Sequence, residues 1–381
     1  PRPWMAFLTT DSEGEEAETC EHRNRGRLAY VGLFFVTAIV ALVLGVVDPN
    51  KFIDKLPLAP KVSSAEAQAL AVMRFSFSLA VFYGIHCIVL LGRPKKGDYR
   101  HTVQYGLWCF KVPAFIALVI ISFTIPAKFF DGYSYVARVG SGFFILIQIL
   151  ILIDFAYQWN EAWVGYDDRK WYALVLVCAV FLYAVAIVLI GIGFGYYGGD
   201  GCDLNNFFLS FTLILGVIVT VGSILAEHGA ILPAACITCY NAYLVWDALN
   251  GVTDHCNRIA VGGSHDTILL LIGACVAMLS LCYQALTAAK SSEALTYTNA
   301  DSPAEDDSDT YNYSYFHLIF LLGSLYMGML LTGWRNIESA QIGTQSQLSM
   351  WVKMVSQWVT FSLYGWSLVA PYVLTNRDFS G

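Results

Sequence analysis

Apolar residues fall in ten blocks of about twenty, parted by short polar stretches: Leu28–Val47, Ala69–Leu91, Val103–Ile125, Tyr135–Tyr157, Trp171–Phe194, Phe207–Ala226, Ile231–Leu249, Thr267–Leu286, Tyr313–Leu331 and Leu348–Leu374. At about 1.5 Å per residue, a block of this length crosses roughly 30 Å of hydrocarbon. Lipid offers no hydrogen-bond partner to a bare backbone, so each block is predicted to be a helix and the chain an all-α polytopic membrane protein. The fourth block stands apart. Nothing breaks a helix between Tyr133 and Trp163, and roughly thirty residues extend about 45 Å. Such a segment is either a long, tilted fourth helix against which others pack, or a shorter span followed by a surface helix. Residues 1–27 form a polar N-terminal segment, 28–374 the transmembrane domain, 291–310 an acidic loop and 375–381 a short tail.

Charges inside the blocks need a local reason. Arg74, His86, Lys111, Asp154, Asp247, His317 and Lys353 all lie within them. Arg74 and Lys111 are near enough to block ends to snorkel towards the interface. Asp154 and Lys353 are expected to face the protein interior with a polar partner, because an ionised side chain in hydrocarbon costs about 2.5–3.5 kcal/mol on insertion scales. Two readings stand side by side: internal ion pairs that lock helices together, or a polar groove that accepts lipid headgroups. Small residues add a packing signal. Gly191, Gly193 and Gly195 include a GxxxG spacing, and Gly140 and Gly142 open the fourth block; both suit close helix approach.

Composition agrees with the pattern: 57% hydrophobic, 13% charged, with a mean hydropathy of +0.56. The net charge of −7 sits mostly in Asp11–Glu21 and Asp301–Asp309, which argues against nucleic acid as a partner. Lys and Arg divide unevenly between the two sides. Arg23, Arg25, Arg27, Arg93, Lys95, Lys96, Arg100, Arg169, Lys170, Lys290 and Arg377 lie on the N-terminal side; Lys51, Lys55, Lys61, Lys128, Arg138, Arg258 and Arg335 lie opposite. With an even number of spans, this asymmetry places both ends of the chain and the 291–310 loop in the cytosol. Trp163, Trp171, Tyr172, Tyr313 and Trp334 are expected in the interfacial belts. No cleavable signal peptide is visible, and a chain that starts at Pro1 is expected to be incomplete at its N-terminus.

Of the ten cysteines, Cys87, Cys109, Cys178, Cys275 and Cys282 read as apolar filler. Cys236 and Cys239 have a CxxC spacing but lie inside the seventh block. Cys202 and Cys256 fall in connections placed outside by the topology, where oxidation is favoured, and are candidates for a disulfide. The sequon Asn312-Tyr313-Ser314 lies at a cytosolic span entrance and is expected to be unmodified. There is no Walker loop, GxGxxG fingerprint, GxSxG elbow or HExxH helix, and His86, His101, His228, His255, His265 and His317 have no metal-ligand spacing. The sequence therefore predicts no catalytic residues, no metal and no cofactor, and disfavours an ATP-driven pump or a familiar hydrolase.

Five strings carry a family resemblance: VMRFSFSLAVFY from Val72, ARVGSGFFILIQILILIDFAYQWNEAW from Ala137, CYNAYLVWDAL from Cys239, YNYSYFHLIFLLGSLYMGMLLTGW from Tyr311 and WVKMVSQWVTFSLYGWSLVAP from Trp351. They resemble the serine incorporator family of membrane proteins, in the family's order. The resemblance implies ten transmembrane helices in two subdomains around a long diagonal helix. It also implies ATP-independent phospholipid scrambling, with lipid bound in grooves between helices. The alternatives are a role in bringing serine into phosphatidylserine and sphingolipids, and a structural subunit of a larger membrane assembly. The N-terminal region lacks the family's cysteine cluster, the first external connection has no cysteine, and the loop before the ninth block is short. On this reading bound phospholipid is expected, the partners are membrane lipids, a second copy or a larger assembly, and Arg74, Lys111, Asp154, Asp247, His317 and Lys353 are the groove or interior candidates.

Overall fold

The computed structural model describes residues 26–45, 64–92, 99–166, 168–227, 229–252, 255–258, 313–334 and 347–373. These are helical almost throughout: α1 Gly26–Gly45, α2 Ser64–Val89, α3 Tyr99–Tyr105, α4 Trp108–Thr124, α5 Ala127–Val164, α6 Arg169–Tyr197, α7 Asp203–Leu225, α8 Ile231–Asn250, α9 Tyr313–Leu331 and α10 Gln347–Val373. No strand occurs among the described residues. Six of the helices (α1, α2, α5, α6, α7 and α9) are long and apolar enough to cross a membrane, and the bent pair α3–α4 makes a seventh span if taken as one. The chain is an all-α polytopic membrane protein. Helices α8 and α10, 20 and 27 residues long, fill the seventh and tenth predicted blocks. The eighth, Thr267–Leu286, lies outside the described residues.

The fourth predicted block is the long helix expected, and the third comes out differently. The fourth is longer than its apolar stretch: α5 runs 38 residues without interruption, so the alternative of a span plus a separate surface helix is set aside. The third is not one helix. It breaks between α3 and α4 with a bend of 64°. Gly106 N closes the last turn of α3 on Thr102 O at 2.9 Å, and Leu107 takes a left-handed conformation, φ 61°. That turn sends α4 off in a new direction and leaves carbonyls at the end of α3 without amide donors.

Two compact units divide the chain inside α5, one holding Pro1–Ser141 with Leu271–Thr332, the other Gly142–Leu270 with Gly343–Gly381. In the first unit α2 packs against both α9 and α4. In the second, α8 is surrounded by α6, α7 and α10. This position explains the polarity of α8. Asn241 and Thr238 are buried among neighbouring helices, where partners exist, rather than in lipid. Helix α6 is the opposite case: it is far less buried than α9, and Val177, Val180, Phe181, Ile187 and Val188 are exposed. Its outer face is apolar and open, as suits a surface turned to lipid.

The glycines sort by what lies opposite them. A Cβ on Gly193 would come within 2.5 Å of Leu209 Cδ2, whereas Gly191 and Gly195 have nothing within 4 Å. The close approach of α6 and α7 is therefore at the middle glycine, not at the GxxxG pair. Likewise Gly140 abuts Leu325 while Gly142 faces open space. Of the aromatic residues expected in the belts, Trp163, Trp171 and Tyr172 are at least partly exposed, and Trp171 stacks on Tyr166 at 4.7 Å. Tyr313 and Trp334 are buried instead. Among the apolar-filler cysteines, Cys109 is exposed and Cys87 and Cys178 are half-buried; Cys275 and Cys282 lie outside the described residues.

Candidate functional site

Lys111 does not snorkel. Its side chain is 6% exposed and turns inward, where Nζ donates to the carbonyls of Val103, Gln104 (3.3 Å) and Gly106 (2.6 Å). These are the carbonyls that the α3–α4 break strips of amide donors, and a cation is the natural cap for a helix C-terminus. The ammonium also lies 4.9 Å from the Tyr30 ring and 5.0 Å from the Trp108 ring, within cation–π range. Around it gather side chains from four further elements. His317 Nε2 lies 2.8 Å from Gln104 Oε1, and both residues are fully buried. An amide oxygen only accepts, so the His317 proton sits on Nε2. Tyr30 meets His317 edge to face at 4.7 Å, and the rings of His86 and His317 are 5.1 Å apart. His86 Nδ1 lies 2.9 Å from its own helix's Phe82 carbonyl.

Arg74 repeats the theme. It too is 6% exposed, with Nη2 donating to Ile125 O at 3.3 Å, the carbonyl just past the end of α4. Its guanidinium lies 5.0 Å from the Phe123 ring and 5.7 Å from that of Phe130. Both basic residues cap helix ends within apolar surroundings, a role that their distance from the block ends did not reveal.

In the second unit Lys353 and Asp247 form an ion pair between α10 and α8, with side chains 15% and 14% exposed. One turn along α10, Gln357 Nε2 donates to Thr212 Oγ1 at 2.5 Å and to Asn241 O at 3.2 Å. Tyr364, two turns further on, donates to Ser223 Oγ at 3.3 Å. Lys353, Gln357, Thr360 and Tyr364 thus recur at helical spacing along one stripe of α10. The stripe carries polar groups through the middle of the second unit.

Asp154 is on neither of these inner surfaces. It is exposed on α5, and its Oδ2 accepts a hydrogen bond from Gln158 Nε2 at 2.7 Å. The interior position expected for it is corrected, for a geometric reason. Ile149, Ile153 and Ala156 take the buried face of α5, which leaves Leu150, Asp154, Gln158 and Glu161 on the opposite one. Asp154, Gln158 and Glu161 make a polar track on that outward face.

Cys202 and Cys256 are joined by a disulfide, Cα–Cα 5.8 Å. His255 Nε2 lies 3.4 Å from Cys256 Sγ, which makes the trio the only group of possible metal ligands among the described residues. The S–S bond occupies both sulfurs, so no metal is inferred there. The bond ties together a well-capped end of the molecule. Arg258 donates to Gly195 O and Gly198 O, Asn205 to Tyr197 O and Asn206 to Gly199 O. Sequence reading passed over Tyr30, Gln104, Asn241 and Gln357, and used Arg258 only as a charge that orients the chain. The available signal was polarity within an apolar block, which Gln104, Asn241 and Gln357 carry as plainly as any charge.

Comparison with known proteins gives a consistent result. The sequence profile of the family described as Serine incorporator (Serinc) matches residues 14–310 and 297–377. Serine incorporator 3 of Bos taurus is 33% identical over 434 residues, covering 93% of this chain and 92% of the relative. The probable serine incorporator of Monosiga brevicollis is 30% identical, with 95% and 92% covered. That of Dictyostelium discoideum is also 30% identical, with 98% and 99% covered.

Proposed function

The chain belongs to the serine incorporator family, and we propose that it is an ATP-independent phospholipid scramblase rather than an enzyme. The observation that carries this reading is Asp154, an ionisable residue on the exposed face of a membrane-spanning helix, in line with Gln158 and Glu161. A carboxylate facing bare hydrocarbon costs about 2.5–3.5 kcal/mol. A face that keeps one draws water and headgroups alongside it, and a hydrated polar track beside lipid tails is what a headgroup needs to change leaflets. Bound phospholipid on this face, with Asp154 meeting the ammonium of choline, ethanolamine or serine headgroups, follows from the same reasoning. The Lys353–Asp247 pair and the polar stripe of α10 support the bundle, and are proposed as structural.

Orientation is part of the proposal. The disulfide brings the end of α6 and the end of α8 to one side. Disulfides belong to oxidising compartments, so that side is read as external and both ends of the chain as cytosolic, in keeping with the Lys and Arg asymmetry.

Purified protein in liposomes tests the function directly. Labelled phosphatidylcholine and phosphatidylserine should equilibrate between leaflets without ATP, and Asp154→Asn should slow this at unchanged folded yield. Exchange no faster than in liposomes holding an unrelated helical protein rules the proposal out. A second reading is favoured by the names of the relatives: assistance in serine incorporation. It would show as raised entry of labelled serine into lipid when the protein accompanies a synthase, with no leaflet exchange of its own.

A further inference from the structure

The far end of α5 adds a feature that its polar track does not explain. Phe155, Trp159 and Trp163 recur at helical spacing and share one stripe of α5. Their rings touch in series, Phe155 to Trp159 at 5.9 Å and Trp159 to Trp163 at 5.3 Å. The series continues across the turn into α6, with Trp163 to Trp171 at 5.7 Å and Trp171 to Tyr166 at 4.7 Å. All of these rings belong to the second unit. Trp159 and Trp163 are anchored from behind, against Val175 and Ala179 of α6 and Leu232 and Ala235 of α8.

Tyr166 is the open end of the series. Its ring is stacked on Trp171, 21° from parallel, yet the residue is 63% exposed. One face is covered, so the other is presented outward on a braced base. An aromatic face carries the negative side of the ring quadrupole and attracts cations. Arg74, Arg100, Lys111 and Arg138 each lie over a ring elsewhere; among the described residues, no Lys or Arg lies over Tyr166. Acidic groups stand on either side of it in the chain. Glu161 is exposed on the last turn of α5, and Asp168 is exposed at the N-cap of α6. Glu161 has no ion-pair partner among the described residues. Arg169 and Lys170 follow directly, both exposed. An interfacial belt accounts for Trp and Tyr at a span end. It does not call for a free ring face between carboxylates.

We infer that the turn from α5 to α6 is a docking surface for lipid headgroups that bear a quaternary ammonium, the phosphocholine class. The trimethylammonium sits over Tyr166 between Glu161 and Asp168, and the phosphate meets Arg169 and Lys170. The inference rests on the reading of this side of α5 as a lipid track, and names the headgroup that the end of the track prefers. The choice of ammonium follows from hydration. A primary ammonium is compact, strongly hydrated and rich in N–H donors that a ring face cannot satisfy. A trimethylated one has no N–H to satisfy, and ring faces are the usual partners of such cations.

Native mass spectrometry of the purified full chain tests the site. The protein is held in maltoside micelles with equal amounts of phosphatidylcholine and phosphatidylethanolamine of the same acyl chains, and the retained lipid is counted. The wild type should retain the choline lipid over the ethanolamine lipid by roughly two- to fivefold, the worth of one cation–π contact at an exposed site. Tyr166→Leu removes the ring face and Glu161→Gln one of the charges. Both residues are exposed, so both variants should fold, and each should bring the ratio towards parity. Equal retention of the two lipids by the wild type overturns the inference, as does a preference that survives Tyr166→Leu undiminished. Leaflet exchange in liposomes is a separate readout. Exchange without a choline preference removes this site and leaves the scramblase; a choline preference without exchange removes the scramblase and leaves the site.

Discussion

Lys353 of α10 and Asp247 of α8 are bound to each other as an ion pair within the second unit. Removal of one partner strands the other, which is worse than removal of both. Asp247→Asn and Lys353→Met should each destabilise the protein by about 1–3 kcal/mol, at the low end because both side chains keep some exposure. The double variant should recover part of the loss. Thermal or denaturant unfolding of the four proteins measures the coupling, and strictly additive losses would mean that the pair contributes nothing.

Leu107 sits at the bend between α3 and α4 with φ 61°, a conformation that glycine adopts freely and leucine does not. Its side chain is 46% exposed, so little packing is at stake. Leu107→Gly should leave the bend in place and raise stability by about 1 kcal/mol. A fall instead would show that Leu107 contributes more through its contacts than its backbone costs.

Gly193→Val should be poorly tolerated and Gly191→Ala nearly silent, although both belong to the same run of glycines. The first drives a side chain into Leu209; the second points it into open space. Folded yield from size-exclusion chromatography distinguishes them, and equal yields would contradict the packing of α6 on α7.

Thiol labelling addresses both topology and the disulfide. In protein kept unreduced, Cys202 and Cys256 should resist alkylation, and Cys202→Ser should cost about 2–4 kcal/mol of stability. In sealed cells, an impermeant reagent should reach a cysteine placed at Val62 and miss one placed at Ser302. The reverse result inverts the proposed orientation.

Hydrophobic patterning made the helices legible because block length and lipid thickness are tied by one number, the rise per residue. It located nine of the ten blocks on described helices, with the eighth outside them. It missed the α3–α4 break, since Gly106 and Leu107 interrupt no apolar run, and the decisive fact is a backbone angle. Asp154 was misplaced for a different reason. The penalty for charge in lipid says that a partner must exist, not which face bears the charge, and Ile149, Ile153 and Ala156 had already claimed the inner one. Lys111 and Arg74 were read by distance from a block end. Their role depends on where helix carbonyls lie open in three dimensions, which no linear pattern records.

The Cys202–Cys256 bond spans 54 residues, and α7 and α8 both lie between its two halves. The first thiol must wait while two more helices are synthesised and threaded into the bilayer, and only then can its partner arrive on the same side. During biosynthesis the oxidation state of Cys202 is therefore a timestamp. A free thiol marks a chain still being inserted, and a bonded one marks a chain whose first seven blocks have been passed to the membrane in order.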